Sequence, residues 1–233
     1  MSPIPIHHLS FLGASGGIGL ATVQLFLGSS IQPFRASHDL ETAEQGARVT
    51  AHYNSNSSTL QPLLATYNLS MNVVQSNLTQ EQDVITLFNT ISSGPFGPPA
   101  IAIVNHGVWP SEEVLIKDMS LEQWTNTLNT NLTSSFLVSR EYMRHLETAS
   151  DDVKAKASLT FIGSTAGKYG NIGHVDYSAT KSGKNLIHRH PNNITPSSSN
   201  VRHDANSEKR NRQDRAKRTR QYRCAWFCHD PDG

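Results

Sequence analysis

A tyrosine and a lysine four residues apart, Tyr177 and Lys181 in YSATK, could transfer a proton. At this spacing both side chains lie on the same face of a helix. An ammonium group beside a phenol stabilises the phenolate, so the pair could serve as general acid and base near neutral pH. Taken alone, a YxxxK pattern is common and usually marks a helix face in contact with solvent.

A glycine-rich stretch near the start of the chain could bind a phosphate group. Residues 13–19, GASGGIG, follow the apolar run Leu9–Leu12 and precede the apolar stretch Leu20–Leu27, which predicts a helix. Glycines in such a turn let the backbone approach a pyrophosphate, which the positive end of the helix stabilises. A glycine-rich turn without any ligand is the alternative interpretation.

Further polar residues lie after predicted strands or inside a predicted helix. Asn105 directly follows the apolar run Ala100–Val104, and Ser164 comes soon after a second such run. Asn131 lies within an otherwise amphipathic stretch. A single helical asparagine is more often structural than catalytic, so these residues indicate a site only in combination.

The spacing of apolar residues predicts an α/β fold. Apolar runs alternate with amphipathic stretches as far as about residue 188, which is typical of a parallel sheet covered by helices on both faces. The predicted strands are Leu9–Leu12, Val49–Tyr53, Asn72–Gln75, Ala100–Val104 and Ser158–Ile162. The predicted helices are Leu20–Leu27, Glu81–Ile91, Leu121–Leu146 and Asp176–Ile187.

The composition excludes a membrane protein and a secreted protein built on disulfides. Hydrophobic residues make up 36% of the 233 residues. No apolar run approaches the roughly 18 residues of a membrane span, and the N-terminus lacks the pattern of a signal peptide. Both cysteines, Cys224 and Cys228, lie near the end of the chain. We therefore expect a cytoplasmic protein without a membrane partner.

Together, in this order and spacing, the motifs resemble the classical short-chain dehydrogenase/reductase family. The resemblance covers about residues 9–188 apart from residues 28–45, and it rests on GASGGIG, NHG in place of the usual NAG, Asn131, Ser164 and YSATK. It implies a Rossmann-type, doubly wound parallel sheet. It also implies hydride transfer between a nicotinamide cofactor and a carbonyl or alcohol on a small molecule. Family members commonly pair through the long helices, so a full-length chain is expected to form a homo-oligomer.

The resemblance also assigns roles to individual residues. Tyr177 would protonate the carbonyl oxygen as the hydride arrives, and Ser164 would hydrogen-bond to that oxygen. Lys181 would hold the nicotinamide ribose and stabilise the phenolate, while Asn131 would position a water molecule that links Lys181 to solvent. The residues implied to bind the cofactor are Gly13, Ser15, Gly17, Ile18, Gly19, Asn77, Asn105, Gly107, Tyr177 and Lys181. No metal ligand is implied.

The residues after the second predicted strand favour NADP(H) over NAD(H). Family members that prefer NAD carry an aspartate at the end of this strand, whereas this chain has Tyr53. Without a carboxylate, nothing there repels a 2′-phosphate, and Ser55, Ser57 and Ser58 could donate hydrogen bonds to one. No arginine lies at the customary positions. Asn77 replaces the usual aspartate that contacts adenine, and an amide can partly substitute for it.

Two segments depart from the α/β pattern. Residues 28–45 form an atypical insertion without a clear period. Residues 189–233 are strongly basic, since eight of the 20 Lys and Arg residues lie between Glu208 and Arg223, where two residues are acidic. We therefore divide the chain into an NAD(P)-binding domain, residues 1–188, and a basic tail that its composition predicts to be disordered.

The tail leaves other functions open. Cys224, Cys228 and His229 could bind zinc, but three ligands so close together fit the spacing of structural zinc sites poorly. The basic run could bind the phosphates of nucleic acid or act as a nuclear localisation signal. A nucleic-acid partner is the less favoured interpretation. A truncated, inactive reductase that serves as a partner subunit is a further alternative.

The tail also reads as a segment translated out of frame. With suitable codons, the frame one base on from Asn200 can encode RVNTVAPGFVTTP, whose Pro-Gly falls where the family has its own. The break would lie between Ser182 and Asn200, and residues 28–45 can likewise be read as a retained intron. On this hypothesis the C-terminal strands and helix of the fold are missing or aberrant. The 233-residue chain is then expected to be poorly soluble and nearly inactive.

Overall fold

The computed structural model describes residues 8–28 and 47–189, with side chains as far as Ile187. All of these residues lie within the compact unit Met1–Ile194. The strands of this part are β1 His8–Leu12, β2 Arg48–Tyr53, β3 Met71–Gln75, β4 Ile101–Val104 and β5 Ser158–Phe161. Its helices are α1 Gly17–Gly28, α2 Gln61–Thr66, α3 Glu81–Ser93, α4 Leu121–Leu128, α5 Ser134–Thr148, α6 Asp151–Ala155, α7 Ala166–Tyr169 and α8 Val175–Arg189.

The strands form one parallel sheet in the order β3-β2-β1-β4-β5. The chain winds outwards from β1 to β3 and then crosses back to β4, on the other side of β1. The carboxyl ends of β1 and β4 therefore lie where the winding changes direction, which is where open parallel sheets bind their ligands. The doubly wound α/β fold predicted from the sequence is confirmed.

Helices cover both faces of the sheet. Side chains of β1 alternate between the faces, so Leu9 and Phe11 pack with Val23 of α1, whereas Leu12 packs on the opposite face. That second face also receives apolar side chains of α5 and the predicted apolar face of α3, namely Val84, Leu87, Phe88 and Ile91. All five residues of β1 are buried, as expected for a central strand of a parallel sheet.

The stretch Leu121–Leu146, predicted as one helix, contains a π turn. Helix α4 ends at Leu128, the wider turn spans Asn129–Thr133, and α5 follows directly. A single wide turn shifts the apolar period by only one residue, which is too small a change for the sequence pattern to reveal the π turn. The short helices α2, α6 and α7 were not predicted either, because four to six residues are too few for a helical period to emerge. Turns of the π type often occur at functional sites.

The two atypical segments of the sequence fall almost wholly outside the described residues. Of residues 28–45 the structure describes Gly28, the last residue of α1, and of residues 189–233 it describes the backbone of Arg189. The predictions of a disordered tail, a zinc site, a nucleic-acid interface and missing C-terminal strands therefore lie outside the described part. Within residues 8–28 and 47–189, no helix is long and apolar enough to cross a membrane.

Candidate active site

The predicted site residues lie in loops that follow neighbouring strands. The glycine-rich turn follows β1, residues 105–107 follow β4, and Ser164 comes after β5. Because these three strands are parallel neighbours, their carboxyl ends lie at the same edge of the sheet. Helix α8 reaches this edge too, since the Lys181 ammonium donates a hydrogen bond to the carbonyl oxygen of Ile162 at 3.0 Å.

The glycine-rich turn requires glycine at two of its positions. Gly13 has a φ of +83°, and a Cβ there would lie 2.7 Å from the Cα of His106. At Gly19 a Cβ would overlap the carbonyl oxygen of Gly13, because helix α1 packs closely against the turn. The Cβ positions of Gly16 and Gly17, in contrast, have no atom within 4 Å. The turn is therefore open on one side, at the start of α1.

This open turn fits the pyrophosphate of a dinucleotide. The first turn of the 12-residue helix α1 contains no acidic side chain, so the positive end of its dipole is not neutralised. Ile18 is 64% exposed beside the open glycines. The carbonyl oxygen of Ser15 accepts a hydrogen bond from the Thr59 hydroxyl at 3.1 Å, which ties the loop after β2 to the turn.

Side chains from both neighbouring strands hold the first glycine of the turn. Asn105 donates from Nδ2 to the Gly13 carbonyl oxygen at 2.9 Å. On the other side, Nδ1 of His52 accepts the Gly13 N–H at 3.1 Å, and the His52 carbonyl oxygen accepts the Ala14 N–H at 2.9 Å. His52 was not among the site residues predicted from the sequence. A histidine inside a predicted buried strand could have indicated it, because a buried imidazole needs hydrogen-bond partners.

Asn77 lies beyond this arrangement, after β3. Its Oδ1 accepts hydrogen bonds from the N–H and the hydroxyl of Thr79, at 3.1 and 2.8 Å, which holds the side chain in the turn before α3. The neighbouring Ser76 is joined through its carbonyl oxygen to Nε2 of His52 at 2.8 Å. The structure therefore connects Asn77 to the glycine-rich turn only through intermediate residues.

Tyr177 and Lys181 lie one helical turn apart on α8. The Lys181 ammonium lies 5.5 Å from the centre of the Tyr177 ring. Burial lowers the pKa of Lys181 below its ordinary value of 10.5. Lys181 is buried whereas Tyr177 is only partly buried, so a cation lies beside a tyrosine that retains some exposure. This arrangement can stabilise a phenolate and so support proton transfer.

Ser164 lies in the loop between β5 and α7, whereas Trp109, in the loop after β4, contacts the helix that carries Tyr177. The Ser164 oxygen accepts the Ala166 N–H at 3.2 Å, which leaves the hydroxyl proton to be donated elsewhere. The Trp109 ring meets the Tyr177 ring edge to face at 4.6 Å and lies 4.0 Å from the His174 ring. Trp109 is still 49% exposed. It therefore packs on the site and also offers a flat apolar surface beside the phenol.

Asn131 is fully buried in the π turn between α4 and α5. Its Oδ1 accepts the Val108 N–H at 2.7 Å, and its Nδ2 donates to the Val108 carbonyl oxygen at 2.9 Å. A longer contact of 3.4 Å joins Nδ2 to the Thr180 hydroxyl on α8. A Cβ at Gly107 would lie 3.0 Å from Oδ1 of Asn131, so the loop approaches closely. Asn131 thus connects the loop after β4 to the helix that carries Tyr177.

A buried carboxylate, Asp176, adjoins the predicted tyrosine and was not among the site residues predicted from the sequence. Its Oδ2 accepts hydrogen bonds from the Thr127 hydroxyl at 2.8 Å and from Nε2 of Gln123 at 3.2 Å. Its Oδ1 accepts the Tyr177 N–H at 2.8 Å. Asp176 therefore fastens the start of α8 to α4. Its position as an acidic residue in the first turn of a predicted helix could have indicated that it stabilises the start of that helix.

A second lysine lies beneath the site. Lys184 is fully buried, and its ammonium donates to the carbonyl oxygen of His106 at 3.1 Å. Burial and then the Lys181 charge lower the pKa of Lys184 to about 7. Burial also lowers the pKa of His106, whose Nε2 lies 2.8 Å from the Ser134 hydroxyl. Lys184 follows Lys181 by three residues, and this spacing could have predicted that both lysines lie on the same side of the helix.

Comparisons with known proteins point to one family. The model of the family described as short chain dehydrogenase matches residues 8–193. The chain is 28% identical over 171 residues to the 3-oxoacyl-(acyl-carrier-protein) reductase FabG of Vibrio cholerae serotype O1, which covers 73% of this chain and 60% of that protein. It is 31% identical over 118 residues to the reductase of the same name from Aquifex aeolicus, which covers 50% and 44%. The chain thus spans less than two thirds of these relatives.

A solved structure shares the fold. The crystal structure of a short chain dehydrogenase from Mycobacterium smegmatis superposes with a TM-score of 0.64 at 20% identity, covering 81% of this chain and 71% of that one. This similarity agrees with the parallel α/β fold, whose strand order here is β3-β2-β1-β4-β5.

Proposed function

The chain belongs to the short-chain dehydrogenase family, and on this premise we propose that it is an NAD(P)(H)-dependent oxidoreductase. It transfers a hydride between nicotinamide and a carbonyl or alcohol carbon of a small molecule. The observation that carries the proposal is the pair Tyr177 and Lys181, whose ring and ammonium lie 5.5 Å apart. We assign the function to residues 1–188, a boundary supported by the family match over residues 8–193.

Four side chains have separate roles in the proton transfer of this reaction. The nicotinamide supplies or accepts the hydride when the cofactor is bound. In the direction of reduction, Tyr177 donates its proton to the carbonyl oxygen, and Ser164 donates a hydrogen bond to the same atom. Lys181 stabilises the phenolate that remains. Asn131 fixes the loop after β4 and, in this proposal, positions the water that links Lys181 to solvent.

Among the two nicotinamide cofactors, the proposal favours NADP(H). Strand β2 ends at Tyr53, so no carboxylate at this position repels a 2′-phosphate. The hydrogen bond between Thr59 and Ser15 holds the following loop beside the glycine-rich turn, and Ser55 and Ser58 are exposed in that loop. We expect the dissociation constant of NADPH to be smaller than that of NADH. Equal constants for the two cofactors would contradict this preference.

A pair of identical copies is part of the same proposal. Leu121 on α4 is 78% exposed and Phe136 on α5 is 48% exposed, so these helices present apolar side chains to solvent. Burial of such residues between two copies would favour association.

Two variants separate cofactor binding from chemistry. The fluorescence of NADPH is expected to change on mixing with the wild-type chain. Gly19→Asp should abolish that change, because any Cβ at this position overlaps Gly13. Tyr177→Phe should retain it while lowering turnover by roughly 100-fold or more, since a general acid is lost. Suitable carbonyl substrates are aliphatic ketones, aromatic ketones and a 3-oxoacyl thioester, the last suggested by the name of the relatives.

Two results would contradict the proposed function. A wild-type chain that leaves the fluorescence of both NADPH and NADH unchanged would exclude cofactor binding. Measurable turnover by the wild-type chain that is unaltered in the Tyr177→Phe variant would exclude Tyr177 as the acid.

A further inference from the structure

His52, the second-last residue of β2, connects the ends of three strands. It is only 2% exposed. Its Nδ1 accepts the N–H of Gly13, which follows β1, at 3.1 Å. Its Nε2 lies 2.8 Å from the carbonyl oxygen of Ser76, which follows β3. One imidazole ring thus spans from the glycine-rich turn to the loop that contains Asn77.

The two partners of His52 determine which ring nitrogen carries the proton. The Ser76 carbonyl oxygen can only accept a hydrogen bond, so Nε2 must donate to it. The Gly13 N–H can only donate, so Nδ1 must present a lone pair. Both bonds form only with the neutral ring protonated at Nε2. Burial lowers the pKa of His52 from 6.5 to about 4, which keeps the ring neutral near pH 7.

The position of Gly13 makes this contact important for the turn. Gly13 is the first residue of the turn and has a φ of +83°. The His52 ring holds its N–H, and Asn105 holds its carbonyl oxygen at 2.9 Å. The next amide, that of Ala14, is bonded to the His52 carbonyl oxygen at 2.9 Å. The peptide groups that enter the turn are thereby fixed before any ligand arrives.

We propose that the His52 side chain is a positioning residue that holds the glycine-rich turn in the shape that binds a dinucleotide pyrophosphate. It acts through Gly13 rather than by touching the cofactor. A turn without this hydrogen bond has more conformations, so binding must also order the turn, and the affinity falls. The inference rests on the proposed function for the identity of the ligand, but not for the contact itself.

A matched pair of variants tests the proposal in the full chain. Asparagine places an amide oxygen near the position of Nδ1, so His52→Asn can keep the acceptor for the Gly13 N–H. Glutamine reaches the position of Nε2, so His52→Gln can keep the bond to Ser76 and loses the acceptor for Gly13. Each variant therefore loses one of the two hydrogen bonds, and a merely structural role predicts similar thermal stabilities and similar affinities for both.

We expect NADPH, measured by its fluorescence, to bind the His52→Asn variant within about threefold of the wild type and the His52→Gln variant about tenfold more weakly. In the chain without cofactor, hydrogen exchange of the Gly13 amide should be faster in the glutamine variant alone. Equal affinity and equal exchange in the two variants would overturn the proposal.

The outcomes also separate this inference from the proposed function. If the wild-type chain binds neither NADPH nor NADH, the proposed function is wrong. Gly13 exchange then still decides whether His52 holds the turn. If NADPH binds but the glutamine variant matches the wild type, the positioning role is wrong and the proposed function stands.

Discussion

Lys184 is a charged residue at a position that the fold buries completely. Its ammonium donates to the His106 carbonyl oxygen, and the charge of Lys181 lies close enough to lower its pKa further. In the folded chain the Lys184 ammonium has a pKa of about 7, whereas in the unfolded chain it keeps its proton up to about pH 10.5. Folding therefore releases a proton across this range, and the buried charge destabilises the chain.

We predict that Lys184→Met stabilises the chain. Between pH 7 and 10.5 the unfolded state binds more protons, so wild-type stability rises as the pH rises through this window. The destabilisation is fully present below about pH 7, where methionine should raise the free energy of unfolding by roughly 2–5 kcal/mol. Urea denaturation at pH 6.5, 8.5 and 10 measures a gain that shrinks with pH.

An exposed lysine provides the control for this substitution. Lys117, whose side chain is 74% exposed, should give little change when replaced by methionine. A gain in the Lys184 variant that is the same at every pH would show that packing, rather than the charge, is responsible.

At the level of elements, the contact between α4 and α8 determines where Tyr177 lies. Asp176, at the start of α8, accepts hydrogen bonds from Thr127 and Gln123 of α4 and from the Tyr177 N–H. The carboxylate and Thr127 are both buried, so the Thr127 hydroxyl depends on this carboxylate for a partner. The start of the helix that carries the candidate acid is therefore held against α4 by this side chain.

We predict that Asp176→Ala lowers the free energy of unfolding by roughly 2–4 kcal/mol, because three donors lose a charged acceptor. Thr127→Val removes one of these bonds and should cost about 1 kcal/mol. Both values can be measured by urea denaturation at pH 7. A loss in the alanine variant no larger than that in the valine variant would show that the carboxylate does not hold α8.

On the scale of the whole molecule, the polarity of α8 reverses near its end. Lys184 is fully buried, while Leu186, two residues later, is 70% exposed. An amphipathic helix normally has the opposite arrangement. The reversal begins just after Ser182, where the hypothesis of an out-of-frame segment places the earliest break. A segment translated out of frame has not evolved to fit this helix, so a buried lysine and an exposed leucine are expected in it.

We therefore expect mature messenger RNA to lack the codons for two parts of the 233-residue chain. Reverse transcription and sequencing across codons 20–60 and 175–233 should give reads that skip residues 28–45 and the segment before Asn200. The protein encoded by those reads should have higher turnover than the 233-residue chain. Transcripts that keep both segments throughout would exclude the hypothesis, and the basic tail would then need a function of its own.

The amino-acid sequence alone determined the α/β class and most of the longer elements of the described part. Strands β1 to β5 and the long helices follow from apolar periods, because a residue's burial in a parallel sheet or on a helix face leaves a repeat in the sequence. The glycine-rich turn and the YSATK helix were recognisable because each chemistry needs its residues at a fixed short spacing. These local features need no knowledge of distant contacts.

Only the tertiary structure determined which distant residues support that site. His52 meets Gly13 across 39 positions of sequence, and Thr127 meets Asp176 across 49. No periodic pattern encodes such pairs, because hydrogen-bond partners are chosen by the order of strands and the packing of helices. The buried state of Lys184 has the same origin, since α8 presents that position to the interior whatever residue occupies it.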